Sequence, residues 1–247
     1  MLKKRLDELK GKVALITGIG KKRASNHIAH ILADYGVNIA LHYNLSKKEA
    51  KILKSQLMKK GIETEIFYAD MSNPESISNL IQSATEKFGH IDILINSASS
   101  CKSTDLTKLD DDFNHFFEIN TRGAGLTALH AGHQMLSQEG GGVIINIADW
   151  NMVKPNNYNI PHIISKNAIP ELTKSLAREF APKVRANYII PNSISISRNL
   201  PQHENKTLLR KQGSPNNIAL AALHFILNDF VTGDGCIVDG GTHIKHQ

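Results

Sequence analysis

The chain has 247 residues and a mass of 27.3 kDa, a length that suits one α/β core and does not call for division into domains. Hydrophobic residues make up 41% and charged residues 21%, and no apolar run approaches the roughly 20 residues that a membrane helix needs, so no transmembrane segment is expected. The net charge of +6 comes from Lys and Arg spread along the chain rather than from a basic arm, which argues against nucleic acid as a partner and agrees with a phosphate-rich, anionic small-molecule ligand.

The N-terminal MLKKRLDELKGK is basic but leads into no apolar signal core, and Cys101 and Cys236 make neither a metal spacing nor a disulfide framework. A reducing cytoplasm is the expected location, and no metal is expected. The first strand-length apolar run is VALIT (13–17). It runs into TGIGKKRAS, where Gly18 and Gly20 open a turn and a helix starts near Ala24. Glycine lets a backbone approach phosphates closely, and the amides at a helix start supply positive potential there. Gly18, Ile19, Lys22 and Arg23 are therefore candidate contacts for a pyrophosphate. The alternative is a glycine turn with no ligand.

The second run, VNIALHY (37–43), ends at His42, Tyr43 and Asn44, followed by Ser46, Lys47 and Lys48. A site that prefers NAD commonly carries a carboxylate here to hold the ribose hydroxyls. None is present, while Lys22, Arg23 and Lys47 lie on the flanking loops, so the expected cofactor is NADP(H), with His42, Asn44 and Ser46 among its contacts. The competing reading of those cations is a solvated surface.

Further apolar runs follow in TEIFYAD (64–70), IDILIN (91–96), VIINIA (143–148) and RANYIIP (185–191), with a last short one from Cys236 in CIVDGG. Strands apolar along their whole length are buried on both faces, as in a parallel sheet covered by helices. Residues 1–247 are thus predicted to form a single-domain Rossmann fold, a doubly wound parallel sheet of about seven strands with helices on both faces and ligands at the carboxyl ends of the strands.

Several motifs occur in a fixed order: Thr17-Gly18, Ala69-Asp70, NSAS (96–99), Asn120 in EIN, VIINIAD (143–149), Ser165-Lys166, VRANYIIP (184–191) and VTGDGCIVDGG near the C-terminus. Together they resemble the short-chain dehydrogenase/reductase family over nearly the whole chain. The resemblance implies that Asp70 and Met71 flank the adenine and that Asn96, Ser97, Ala98 and Ser99 line the cofactor channel. It also implies that Pro191 and Ser193 lie against the nicotinamide, that Lys166 holds the nicotinamide ribose, and that Asn120 holds a water that relays protons. Asp149 in place of the family's usual Ser, NSASS (96–100) and HYNLSKKEA (42–50) are most similar to the pteridine reductase and dihydromonapterin reductase branch. On that likeness the substrate contacts are Ser99, Cys101, Asp149 and Trp150, and the assembly is a homotetramer or homodimer through helices near 111–138 and 161–180.

The chain departs from the pattern at the acid. Where the family places Tyr, four residues before its Lys, this sequence has His162. Asp149 lies thirteen residues before His162, the family's own spacing, so the register is kept and the acid is replaced. Imidazole titrates close to neutrality and suits proton donation, whereas its shorter reach argues for a silent pocket. Tyr158 stands one helical turn earlier, in a segment rich in turn residues that reads as loop. Pro170, four residues beyond Lys166, removes the hydrogen bond to the Lys166 carbonyl and is predicted to kink the helix. Cys101 stands where the pterin reductases carry a stacking aromatic, with Trp150 as the candidate substitute. The first turn is one residue longer than the family's, with Ala24 or Ser25 at the last glycine. The expected activity is NADPH-dependent reduction of a small pterin-like or carbonyl substrate, with Asn120, Asp149, His162 and Lys166 as catalytic residues. The alternatives are a generic ketone or 3-oxoacyl reductase and a catalytically silent dinucleotide-binding protein.

Overall fold

A computed structural model describes residues 2–21, 23–102, 109–154, 159–192 and 207–245. After a short helix α1 (Leu2–Asp7), the chain alternates β1 (Val13–Ile16), α2 (Ala24–Asp34), β2 (Asn38–Tyr43), α3 (Lys47–Met58), β3 (Thr64–Tyr68), α4 (Pro74–Phe88) and β4 (Ile93–Asn96). Next come α5 (Leu109–Phe116), a π-helical turn (Phe117–Gly123), α6 (Ala124–Ser137) and β5 (Gly142–Ile147). A 3-10 turn (Trp150–Met152), α7 (Ile160–Asn167), α8 (Ile169–Phe180), β6 (Val184–Pro191), α9 (Pro215–Leu227) and β7 (Gly235–Val238) complete it. Among the described residues the strands form one seven-stranded sheet in the order β3-β2-β1-β4-β5-β6-β7, and every neighbouring pair is parallel. The strand order reverses between β1 and β4, which opens a crevice at their carboxyl ends.

The near-continuous apolar strands bury both faces, as a sheet between two helical layers requires. Ala14 and Ile16 of β1 point into one layer with Ile28 and Leu32 of α2, Leu53 and Leu57 of α3 and Ile218 of α9. Leu15 points the other way, into the layer with Ile77 and Leu80 of α4, Met135 of α6 and Leu176 and Phe180 of α8. At the expected kink the helix is instead divided: α7 stops at Asn167, and Pro170 sits in the first turn of α8, where its missing N–H costs no helical bond. Lys166 is consequently in the last turn of a short helix that is joined to α8 through the single residue Ala168, itself in the αR conformation.

Candidate active site

The first turn is held from beneath. Gly18 has φ +78°, and a Cβ on it would lie 2.7 Å from the Ala98 Cα, so both the conformation and the close approach to the end of β4 require glycine. Thr17 stitches the same two strand ends: its Oγ1 accepts from the Ser97 and Ala98 amides, 2.9 Å each. The Gly18 amide donates to Nδ1 of His42 at 3.1 Å, and Nε2 of His42 donates to the Ala69 carbonyl at 3.1 Å. His42 thus corrects the expectation of a cofactor contact through its side chain: the ring is buried and both nitrogens are engaged inside the fold. Burial, opposed by the Ala69 bond and the Asp70 charge, takes its pKa down to about 4.

Arg23 stands just before α2, and no side chain caps that helix, so its start presents backbone donors. The Arg23 guanidinium reaches the Ser99 carbonyl, beyond the end of β4, at 3.5 Å. Ser25, one of the two candidates for the family's last glycine position, is buried and donates through Oγ to the Gly18 carbonyl, 3.1 Å. Ile19 is buried and donates its amide to the His42 carbonyl. Ser46 opens α3 and lies against Gly20, while Asn44 and Lys47 are exposed beside it. Asp70 accepts from the Ser72 amide and hydroxyl, and Met71 is buried beneath Gly123. Lys22, Ser193 and Tyr158 lie outside the described residues.

Asn96 faces inward, donating to the Ala124 carbonyl (2.8 Å) and to Asn146 Oδ1 (3.0 Å), and Asn146 in turn donates to Thr173. Asn120 sits within the π-helical turn, a wider geometry often found at functional sites. Its Oδ1 accepts from the Ser100 amide (2.9 Å) and the Ser99 hydroxyl (3.1 Å), and its Nδ2 donates to the Ser100 carbonyl (3.1 Å) and to Ser165 Oγ (3.0 Å). The side chain joins the loop after β4 to α7.

Against this frame stands His162. Its Nδ1 lies 2.9 Å from the Ser100 carbonyl oxygen and its Nε2 lies 3.3 Å from Asp149 Oδ2. Both partners are acceptors, so a ring with a hydrogen on each nitrogen satisfies both. The two Asn120 Nδ2 hydrogens already have acceptors, which makes its 3.3 Å approach to Nδ1 a packing contact. Phe116 meets the ring edge-on, with 5.6 Å between centroids. The His162 side chain is 4% exposed and that of Asp149 is 28% exposed, so the carboxylate is the member of the pair that faces open space. Asp149 Oδ1 accepts from the Asn151 amide (2.8 Å) and Nδ2 (2.7 Å). Burial raises the Asp149 carboxyl, but the His162 and Asn151 bonds and the His162 and Lys166 charges outweigh it and hold the carboxyl below its ordinary value.

Lys166 is buried, with Nζ donating to the Ile147 carbonyl at 2.7 Å. Burial, opposed by Asp149 and reinforced by Arg23, lowers it to about 8. An ammonium has three donors, so two remain for a ligand such as a ribose. With the uncapped start of α2, this donor set fits a nicotinamide dinucleotide in the crevice. Cys101 is exposed at the mouth, its thiol pushed above the ordinary range by lost solvation and by the Asp149 charge, with Arg23 and Lys166 opposing. Trp150 turns away from the expected stacking role, its Nε1 donating to Asp239 Oδ2 at 3.0 Å. Pro191 ends β6, beside β7.

Sequence reasoning missed Ser100, Ser165, Asn151 and Asp239. Ser100 acts through its backbone, which residue type does not signal, and Asp239 lies 89 positions from the Trp150 that it holds. The visible signals were their places in motifs: Ser100 at the end of NSASS, Ser165 beside Lys166 and Asp239 in VTGDGCIVDGG.

Residues 16–243 match the family profile described as Enoyl-(Acyl carrier protein) reductase. An uncharacterized oxidoreductase of Escherichia coli K12 is 29% identical over 244 residues, covering 93% of this chain and 94% of the relative. A crystal structure of NAD+-bound xylitol dehydrogenase is 25% identical, superimposes with a TM-score of 0.85, and covers 95% of this chain and 100% of its own. A blue fluorescent protein from a metagenomic library, solved in complex with NADPH, is 28% identical with a TM-score of 0.83, covering 95% of this chain and 98% of its own. None of the helices among the described residues is long and apolar enough to cross a membrane. With motifs, topology and profile in agreement over most of its length, the chain belongs to the short-chain dehydrogenase/reductase family.

Proposed function

We propose that the chain is an NADP(H)-dependent reductase of a small carbonyl or pterin-like substrate. The observation that carries this reading is the His162 and Asp149 pair beside buried Lys166 at the carboxyl end of β5. When bound, the nicotinamide supplies the hydride. Lys166 holds the ribose hydroxyls with its two remaining donors, and the start of α2 holds phosphate. His162 carries the proton at Nε2 and passes it to the substrate atom, a carbonyl oxygen or a pterin ring nitrogen, that replaces Asp149 Oδ2 as its acceptor. Asp149 orients the substrate and stabilises the charged ring before transfer. Asn120 keeps the Ser100 carbonyl in place and so fixes the direction of the ring.

Preference for NADP(H) rests on the absence of a carboxylate at Asn44 and Ser46 and on the nearby Lys47, with Lys21 and Lys22 in the first turn. Both cofactor types occur among the solved relatives. The pterin-like choice within the substrate class rests on Asp149 and on the likeness of NSASS and HYNLSKKEA. One observation favours a second reading, a silent dinucleotide-binding protein: both His162 nitrogens already have partners.

A stopped-flow survey of NADPH oxidation against dihydropterins, quinones and keto esters separates the two. Turnover with any of these substrates supports the reductase. Tight cofactor binding with no turnover on any of them supports the silent reading.

A further inference from the structure

The C-terminal turn after β7 reaches back to the candidate catalytic loop. Asp239 is buried, and its Oδ2 accepts from Trp150 Nε1 (3.0 Å), from the His243 amide (2.8 Å) and from His243 Nδ1 (2.8 Å). Its Oδ1 accepts from the Gly241 amide (2.8 Å). Burial raises this carboxyl, but the Trp150, His243 and Gly241 donors overcome that and hold it below its usual range. A hydrogen bond to an ionised acceptor is about twice as strong as a neutral one, so the indole is fixed in direction.

Trp150 is also the first residue of the 3-10 turn that Asp149 caps. The amide and side chain of Asn151, one position further on, occupy Asp149 Oδ1 and leave Oδ2 for His162. The indole contact and the Asp149 contacts thus fall on consecutive residues of one short turn. The same C-terminal turn also grips the end of β6. The Asn192 amide donates to the Val238 carbonyl at 3.0 Å, and Asn192 Nδ2 donates to Thr242 Oγ1 at 3.1 Å. Thr242 Oγ1 donates to the Asp239 carbonyl at 2.6 Å.

We propose that Asp239 is a positioning residue for the Asp149 and His162 pair and acts on it through the indole of Trp150. The inference rests on the proposed role of that pair. Its first readout does not require turnover. The ring nitrogens of His162 are followed by long-range 1H–15N correlation in the full chain, with the resonance identified by its loss in His162→Gln. Asp239→Asn and Trp150→Phe are expected to shift this resonance in the same direction as Asp149→Asn. Trp150→Phe keeps an aromatic ring in place and decides the matter if Asp239→Asn does not fold. Where turnover is found, both variants are expected to lower kcat at least about tenfold, since displacement by an ångström costs about a hundredfold, with the NADPH dissociation constant unchanged. An unmoved His162 resonance in folded Trp150→Phe overturns the proposal, and so does a kcat equal to wild type. If wild type shows no turnover with any substrate, the reductase reading fails while the histidine resonance still decides the link.

Discussion

His162 Nε2 stands 3.3 Å from Asp149 Oδ2, and the carboxylate rather than the imidazole is the exposed partner. In the proposed reaction the substrate atom that takes the proton therefore has to replace Asp149 Oδ2 as the partner of Nε2. Asp149→Asn removes the carboxylate that accepts from His162 Nε2 and also the charge that supports the Lys166 ammonium against burial, while leaving the first turn intact. Turnover is expected to fall about a hundredfold, the scale of a misplaced proton donor. Steady-state kinetics at about pH 6, well below the Lys166 pKa of about 8, checks this, with calorimetry at the same pH showing that cofactor affinity stays within about threefold of wild type.

Lys166 provides a pH signature in binding alone. With its pKa near 8 in the cofactor-free protein, the ammonium that would hold a ribose is lost as pH rises through that value. NADPH affinity is expected to weaken about tenfold between pH 7 and pH 9, because each unit above the pKa removes a factor of ten in the charged form. Lys166→Met is expected to bind weakly with no such slope. Calorimetric titration at both pH values checks it, and a flat wild-type profile contradicts it.

The His42 latch under Gly18 makes a separate claim about stability. Its folded pKa near 4 lies below the reference value of 6.5, so the unfolded chain takes up the proton first as pH falls. The stabilisation is fully present above about pH 6.5 and is lost progressively down to about pH 4, amounting to about 3 kcal/mol for this one group. Urea unfolding at pH 7 and pH 4 is expected to show wild type losing about 3 kcal/mol more than His42→Asn. Equal losses in the two proteins contradict the buried neutral ring.

Much of this was legible in the sequence, for identifiable reasons. The near-continuous apolar runs gave the parallel sheet because burial on both faces removes polar alternation. The thirteen-residue interval from Asp149 to His162 kept the register of the site, and Pro170 marked where the helix is disturbed, as a kink rather than the division seen after α7. The inward turn of His42 was not legible, since a histidine near a strand end serves a ligand or a backbone amide equally well. Nor was the reach of Arg23 toward Ser99, which depends on where a lengthened turn places its side chain. The Trp150 and Asp239 bond joins residues far apart in the chain, and no local pattern encodes such a contact.

Cofactor preference follows from the loop after β2. Exposed Asn44 and Lys47, with Ser46 against Gly20, put no carboxylate there to repel a 2′-phosphate. NADPH is expected to bind at least about tenfold more tightly than NADH, a difference of about 1.4 kcal/mol. Paired calorimetric titrations at one salt concentration check this, and equal or tighter NADH binding contradicts it.

The central claim is that His162 supplies the proton that accompanies hydride transfer. The most direct test is the single-turnover rate of NADPH oxidation with saturating substrate in wild type and His162→Ala, both shown to be folded and cofactor-bound. The expected result is measurable oxidation by wild type with at least one substrate of the survey and a rate about a hundredfold lower or less in the variant, within the 10²–10⁴ range typical of losing a general acid. Equal rates in the two proteins would contradict the claim.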